Sequence, residues 1–448
     1  NLGINLGADP HTGLPIEKIQ PNTDPNAFCL TGKLGMGDLD ISDDGSKLYV
    51  VNLYEKKIHE ITIGNPYVAG SSLTAANIRT WSIPNPGCSN GEFVPWGLKF
   101  YRDKLYVGVT CTGETSGNIA DLKGTIYELI PSTGVFTNVI SSTTFSMQYA
   151  WFTTWNCYFS NSGQPMISDI EFDERGNMTI GIMDRVSLQW GRQNLPPNGG
   201  ALVDGFANGN IEKLCYNSAT NRFTLEDNGV VCGVTGAGQN NGQGPGGGEF
   251  YNDLGVLYPH EESAFGALAI LQGSGEVLWT AQDPINYWAG GVFHNKTETG
   301  AQLATKYELY QSVDPATFGK AGGLGDIEVL CNLAPIEIGN RIWMDSDNDG
   351  IQDANEMGLA SVQVQLYKNG SLVASTSTSS NGQYIFTNAM VTGGLLPNMA
   401  YEIRIPNYLS IPALAGKNLT TSNVNGNADD IRDSDGSISG VNIIIPIT

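Results

Sequence analysis

DLDISDDGSKLYVVNLYEKKIHEITI, residues 38–63, decides the fold. DLDIS and KLYVVNL alternate apolar and polar side chains, the period of a half-buried strand. Between them stand Asp43, Asp44, Gly45 and Ser46, residues that turn a chain cheaply. KKIHEITI follows after a second tight turn. The spacing predicts three antiparallel strands. The phrase recurs along the chain. After Trp96 it reads GLKFY, RD, KLYVGVT, then GTIYELI; after Ser168 it reads DIEFD, ERGN, MTIGIMD, then NIEKLCYN. A looser copy runs FGALAIL, QGSG, EVLWTAQ, KYELYQS, and a last strand, GDIEVLC, begins at Gly325. Starts near 38, 96, 168, 264 and 325 give a period of about 60 with insertions, in the internal order of a propeller blade. One such sheet cannot bury both faces; stacked around an axis, several can.

Composition supports an all-β chain and excludes several partners. The 448 residues carry 45 acidic and 23 basic side chains, a net charge of −22. That field repels nucleic acid and anionic membranes. No run of apolar residues is long enough to span a bilayer, so no membrane insertion is expected. Asn1 opens the chain without Met, and its first residues read as a strand already in progress. A processed or partial chain is expected, its ring short of an N-terminal portion.

The seven cysteines form no CxxC, which disfavours a zinc ribbon or thioredoxin-type site. Cys215 and Cys232 flank a predicted hairpin, 211–216 with 229–232, and are expected to pair. Cys88 with Cys111 is the second expected bridge. Cys29 and Cys331 stand near opposite ends of the repeated segment and are expected to meet at ring closure, leaving Cys157 free. Disulfides imply an oxidising compartment; the alternative is seven buried thiols.

ISDDGSKLYVVN, residues 41–52, resembles the YVTN-type β-propeller repeat of extracellular and surface-layer proteins. The resemblance implies a propeller over about residues 1–332. Asn332, Leu333, Ala334 and Pro335 then read as a linker. The following stretch, IGNRIWMDSDNDGIQDANEMGLASVQVQLYKNGSLVASTSTSSNGQYIFTN, resembles the B-type repeat of bacterial serine-aspartate adhesins, the SdrD B-like domain, from 336 to about 445. It implies a prealbumin-like or collagen-adhesin B-type β-sandwich that binds calcium, over about 333–448, with Thr448 short of the native domain end. A Lys–Asn isopeptide crosslink, found in related adhesin domains, is not expected, because the first strand at 336–339 offers no lysine.

Within that stretch, twelve residues read as a calcium loop. Asp345, Asp347, Asp349, Asp353 and Glu356 fall at its first, third, fifth, ninth and twelfth positions. Gly350 is sixth, where the chain turns sharply, and Ile351 is seventh, where a backbone carbonyl would ligate. Calcium takes six to eight oxygens, and this spacing wraps them around one point. A second cluster, Asp429, Asp430, Asp433 and Asp435, would repel itself without a counter-ion. The same resemblance implies further calcium there; an exposed acidic turn partly neutralised by Arg432 is the alternative.

Other candidates carry less. Asp38, Asp169 and Asp326 share one register at three strand starts, with Gly97 and Gly266 at that register elsewhere. They could ring a cation or a catalytic channel, as in propeller lactonases, or cap backbone amides between blades. No histidine flanks them for acid–base work. GAGQNNGQGPGGG, residues 236–248, reads as a flexible loop, since no Lys-Ser/Thr follows to cradle phosphate. Trp151, Trp155, Trp190, Tyr287 and Trp288 could stack sugars or fill space between blades.

The expected function is a secreted bacterial cell-surface protein. Its propeller presents a recognition surface for an extracellular protein, a glycan or copies of itself, and its calcium-stapled sandwich is a spacer. No catalytic residue is expected. The alternatives are a propeller hydrolase or lactonase using the axial carboxylates, and a subunit of an extracellular fibre.

Overall fold

The computed structural model describes the chain outside residues 1, 12–22, 174, 190, 192, 218, 256–261, 272–273, 312–321, 323, 330–336, 354, 388–389, 392–394, 396–399, 425–432 and 448. The fold is all-β, in two compact units, Asn1–Leu330 and Cys331–Thr448. The expected linker at 332–335 lies outside the described residues. Among those described, no helix is long and apolar enough to cross a membrane.

Among the described residues the first unit holds four antiparallel sheets built as four-strand meanders, besides a two-stranded one. The first comprises Met36–Ile41, Lys47–Asn52, Lys57–Thr62 and Ile78–Ser82. The second runs Phe93–Tyr101, Lys104–Cys111, Lys123–Ile130 and Val135–Asn138, with Phe145–Ser146 also on its third strand. The third runs Pro165–Phe172, Met178–Asp184, Asn210–Asn217 and Arg222–Leu225. The fourth runs Ala264–Ile270, Glu276–Gln282, Ala289–Lys296 and Gln302–Gln311.

Apolar cores fill the spaces between successive sheets. Tyr49, Val51 and Ile58 pack on Leu98, Leu105 and Val107 between the first two. Tyr106, Ile126 and Phe145 meet Ile167, Phe172 and Ile180 between the second and third. Ile211 meets Leu268, Trp279 and Phe293 between the third and fourth.

The sheets are tied at their first strands by a repeated device. Each first strand slips register, between Met36 and Leu39, Pro95 and Leu98, Ile167 and Asp169, and Ala264 and Leu268. Such a bulge bends the strand and re-aims a side chain. Asp38 thereby accepts from the Leu98 amide of the next sheet at 2.7 Å, and Asp169 from the Leu268 amide at 2.5 Å. Asp40 does the same to Phe100 at 2.6 Å. At Gly97 the second sheet meets the third so closely that a Cβ would stand 2.7 Å from the Asp169 nitrogen.

Several expectations need correction. Three strands per repeat were predicted, and each sheet has four. In the fourth sheet the predicted third strand is the fourth; Ala289–Lys296 was missed, because AGGVFHNK lacks alternation and has glycine at its second and third positions. At the fifth start, residues 324–329 join no ladder among the described residues, and 330–331 lie outside them. The hairpin around Cys215 is also different. Asn210–Asn217 pairs with Arg222–Leu225, and Val230–Val231 with Val234–Thr235.

The disulfides are Cys88–Cys111, Cys215–Cys232 and Cys29–Cys157. Cys157 is therefore bridged, and Cys29 does not pair with Cys331, which lies outside the described residues. The physical reason is local. Cys29 sits on the short helix Pro25–Leu30, capped by Asp24, and the buried Arg185 binds both that helix and the Cys157 loop.

The second unit is a sandwich of two antiparallel sheets. Ile338–Arg341 pairs with Gln383–Phe386. The other sheet has the spatial order Ser371–Ser377, Gln363–Lys368, Tyr401–Ile405, Asn442–Ile447, Ser437–Ser439. Phe386 and Tyr384 from the small sheet pack on Val364, Leu366 and Ile403 of the large one. Alternate residues of each strand face this core, as the period of two requires.

Candidate metal centre

The acidic loop at 345–356 hangs from a pinched base. Trp343 bridges Gly358, and the Met344 amide donates to the Met357 carbonyl at 2.9 Å. Asp345 organises the first half: it accepts from the Asn348 amide at 2.7 Å, the Gly350 amide at 2.9 Å and the Thr420 hydroxyl at 2.5 Å. The Thr420 hydroxyl leads in holding its carboxyl below the ordinary value. Gly350 has φ +81 and is buried; a Cβ there would collide with Val424 and lie 2.7 Å from the Thr421 carbonyl. Only glycine fits at little cost. Glu356 is buried and clamps the second half, accepting from the Ser346 amide at 2.6 Å and the Asp353 amide at 3.1 Å.

Asp345, Asp347 and Asp349 each bring a carboxylate oxygen within 4.8 Å of the others. Two oxygens bound to one calcium at 2.3–2.6 Å stand at most about 5 Å apart, so the three fit one ion. Desolvation, then the Asp349 charge, pushes the Asp347 carboxyl up. Asp353 and Glu356 brace the loop and lie outside that trio.

Asp433, assigned to a separate cluster by the sequence, joins this loop. Ile351 bridges Asp433, and the Ser434 amide donates to the Gly350 carbonyl at 3.1 Å. Asp433 is 4% exposed and neither of its carboxylate oxygens has a hydrogen bond. Asp345, Asp433 and Asp435 line one cavity of about 320 Å³. Asp429 and Asp430 lie outside the described residues. A buried, unpaired carboxylate beside three converging ones is an arrangement that a hard cation satisfies.

The domain family follows from comparison. Residues 336–445 match the SdrD B-like domain. Serine-aspartate repeat-containing protein F of Staphylococcus epidermidis is 34% identical over 107 residues, covering 24% of this chain and 6% of that protein. Colossin-B of Dictyostelium discoideum is 29% identical over 410 residues, 84% of this chain and 10% of its own length. A match that long runs through parts of both units. The chain spans about a tenth of that relative. Among solved structures, a luciferin-regenerating enzyme aligns at TM-score 0.29 and 9% identity, covering 62% of this chain and 60% of its own. The SdrD B-like unit thus carries the Asp345 loop, with Asp433 supplied from near its C-terminal strands.

In the first unit the carboxylates at the strand starts bind backbone. Asp38 and Asp169 satisfy their own strands, through the Leu39 and Ile170 amides, as well as the next sheet. Asp326 is close enough that its charge raises both of their carboxyls, after burial itself. Lys99 binds Glu171 at 2.7 Å and lies 3.9 Å from Asp40. Of the aromatic candidates, Trp151 and Trp155 belong to a core. Trp155 is buried, donating to the Pro165 carbonyl at 2.8 Å, and Trp151 packs against the same core. Tyr287 is exposed near the fourth sheet, and Trp190 lies outside the described residues.

Burial pushes Glu171 up to about 7 from its ordinary 4.5. A carboxyl raised in this way holds its proton more tightly folded than unfolded. Its stabilisation is full below the unfolded value and is lost as pH rises through the folded one. Asp38, Asp169 and Asp326 are raised as well. The first unit should therefore melt higher at about pH 5 than at about pH 8, and Glu171→Gln should flatten that slope. Calorimetry across this range checks it; a melting temperature that rises with pH contradicts it.

Proposed function

We propose that this chain belongs to an extracellular surface protein with an adhesive or assembly role. Its first unit is a β-propeller presenting a recognition surface to an extracellular protein or glycan. Its SdrD B-like unit is a spacer stiffened by calcium at Asp345, Asp347 and Asp349, with Asp433. The observation that carries this reading is the convergence of those three carboxylates beside the buried, unpaired Asp433. Three disulfides support an oxidising environment. The four successive meanders, with Asp-to-amide bonds from the first to the second and from the third to the fourth, support the propeller. A net charge of −22 speaks against nucleic acid.

Pulling the full chain from its ends tests the spacer role. Calcium should raise the force at which the SdrD B-like unit unfolds, and chelator should lower it. Equal forces in both conditions would remove the spacer reading.

A further inference from the structure

Within the first unit a second group of carboxylates comes together, two of them buried and one half-buried. Glu249, Asp253 and Glu262 each bring an oxygen within 4.8 Å of the others. Glu249 is 0% and Asp253 1% exposed. Glu249 Oε2 and Asp253 Oδ1 meet no N–H or hydroxyl donor, and the two carboxyls lie close enough to share a hydrogen bond through one proton. Their other oxygens are held: Asn241 donates to Glu249 Oε1 at 2.5 Å and the Ile211 amide to Asp253 Oδ2 at 3.3 Å.

A second observation comes from the third sheet. Glu212 is fully buried on the strand Asn210–Asn217, and Glu226 is buried just beyond Arg222–Leu225. Glu212 feels the Asp253 charge, and Glu226 feels both Glu212 and Asp253. Each keeps one oxygen, Oε2, without a partner, while Oε1 is held by the Tyr149 hydroxyl or by the Lys213 amide. The Asn252 amide oxygen is buried and unpartnered as well.

The glycine-rich stretch at 236–248 builds this place. It is an ordered scaffold rather than the flexible loop expected from its composition. Gly238 bridges Glu249, where a Cβ would stand 2.6 Å from the Tyr251 carbonyl; one at Gly236 would collide with the Phe250 carbonyl. Only bare backbone lies this close to 249–251, and the approach brings Asn241 onto Glu249.

We propose that Glu249, Asp253 and Glu262 bind a calcium ion inside the first unit, with the Asn252 amide oxygen as a further ligand. The donor set is all oxygen, which selects a hard cation over zinc or copper. Oxygens within 4.8 Å of one another match ligands on opposite sides of one calcium. Nothing here depends on the SdrD B-like loop.

The test uses the full chain and calcium alone. Calcium at about 10 mM, above the weak end of extracellular sites, should raise the melting temperature of the first unit, and Asp345→Ala should leave that rise intact. Glu249→Gln/Asp253→Asn should abolish it and lower the bound calcium per chain by one. The alternative is a cluster held by protons. It predicts a first-unit transition indifferent to calcium in the unaltered protein, and that result overturns the proposal whether or not the double variant folds. A double variant with undiminished calcium binding would overturn it too.

Discussion

Arg185→Met will rank with loss of the Cys29–Cys157 bridge as the most destabilising change in the first unit outside its apolar cores. The Arg185 side chain is 1% exposed, and burial holds its guanidinium down to about 10. It donates to the Phe28 carbonyl at 2.9 Å, Thr31 at 3.0 Å and Asn156 at 2.5 Å, and twice to Gln164 Oε1. Its plane lies 4.6 Å from the Trp155 ring. Methionine keeps the packing and strips the donor from three carbonyls, one buried and two half-buried. Stranding partners of a buried charge costs about 3–5 kcal/mol. The Cys29–Cys157 bridge joins the same two segments across a sequence separation of 128. Loop entropy makes it worth roughly 5 kcal/mol, against about 3 for a short loop such as Cys215–Cys232. Arg185→Met and Cys157→Ser should each lower the melting temperature of this unit by roughly 5–10 °C. Together they should fall short of the sum, because losing either tie already loosens the helix Pro25–Leu30 and leaves less for the second loss to undo. Scanning calorimetry of the three variants reads this directly. Shifts of about a degree would contradict it, being those of an ordinary surface change.

Calcium removal should have the next largest effect, read here in the transition of the SdrD B-like unit. An ion bound only by the folded state stabilises it by mass action, about 2.7 kcal/mol at a hundredfold excess over its dissociation constant. For a unit of this size that is a fall of roughly 10 °C in chelator. Asp345→Ala also loses the bonds to Asn348, Gly350 and Thr420, so it should melt lower even without calcium. The discriminating result is its response: the variant should melt at one temperature in calcium and in chelator. An unaltered protein that does the same would show the loop to be an acidic turn and nothing more.

How much of this was legible depends on whether the signal was local. Lys47–Asn52 and Lys57–Thr62 could be read because alternation and turn residues lie within a few positions of each other. Val135–Asn138 and Arg222–Leu225 could not, being four residues long and half-exposed on the outer edge of their sheets. The Asp345 loop was visible as a spacing. The arrival of Asp433 was not, because a bridge to Ile351 across the sandwich leaves no trace in sequence order. The Asp38 and Asp169 register was visible, and the bulge that aims each at the next sheet explains it. Glycine 236–248 misled for a physical reason: bare backbone serves close packing as well as freedom, and composition does not separate the two.

Diffraction from crystals of the full chain grown with calcium, recorded for its anomalous signal, tests the central claim most directly. The expected map has a peak among Asp345, Asp347 and Asp349, with a carboxylate oxygen of Asp433 in or next to its shell and ligand distances of about 2.3–2.6 Å. A map without that peak at saturating calcium, with the Asp433 carboxylate still unpaired, would contradict it.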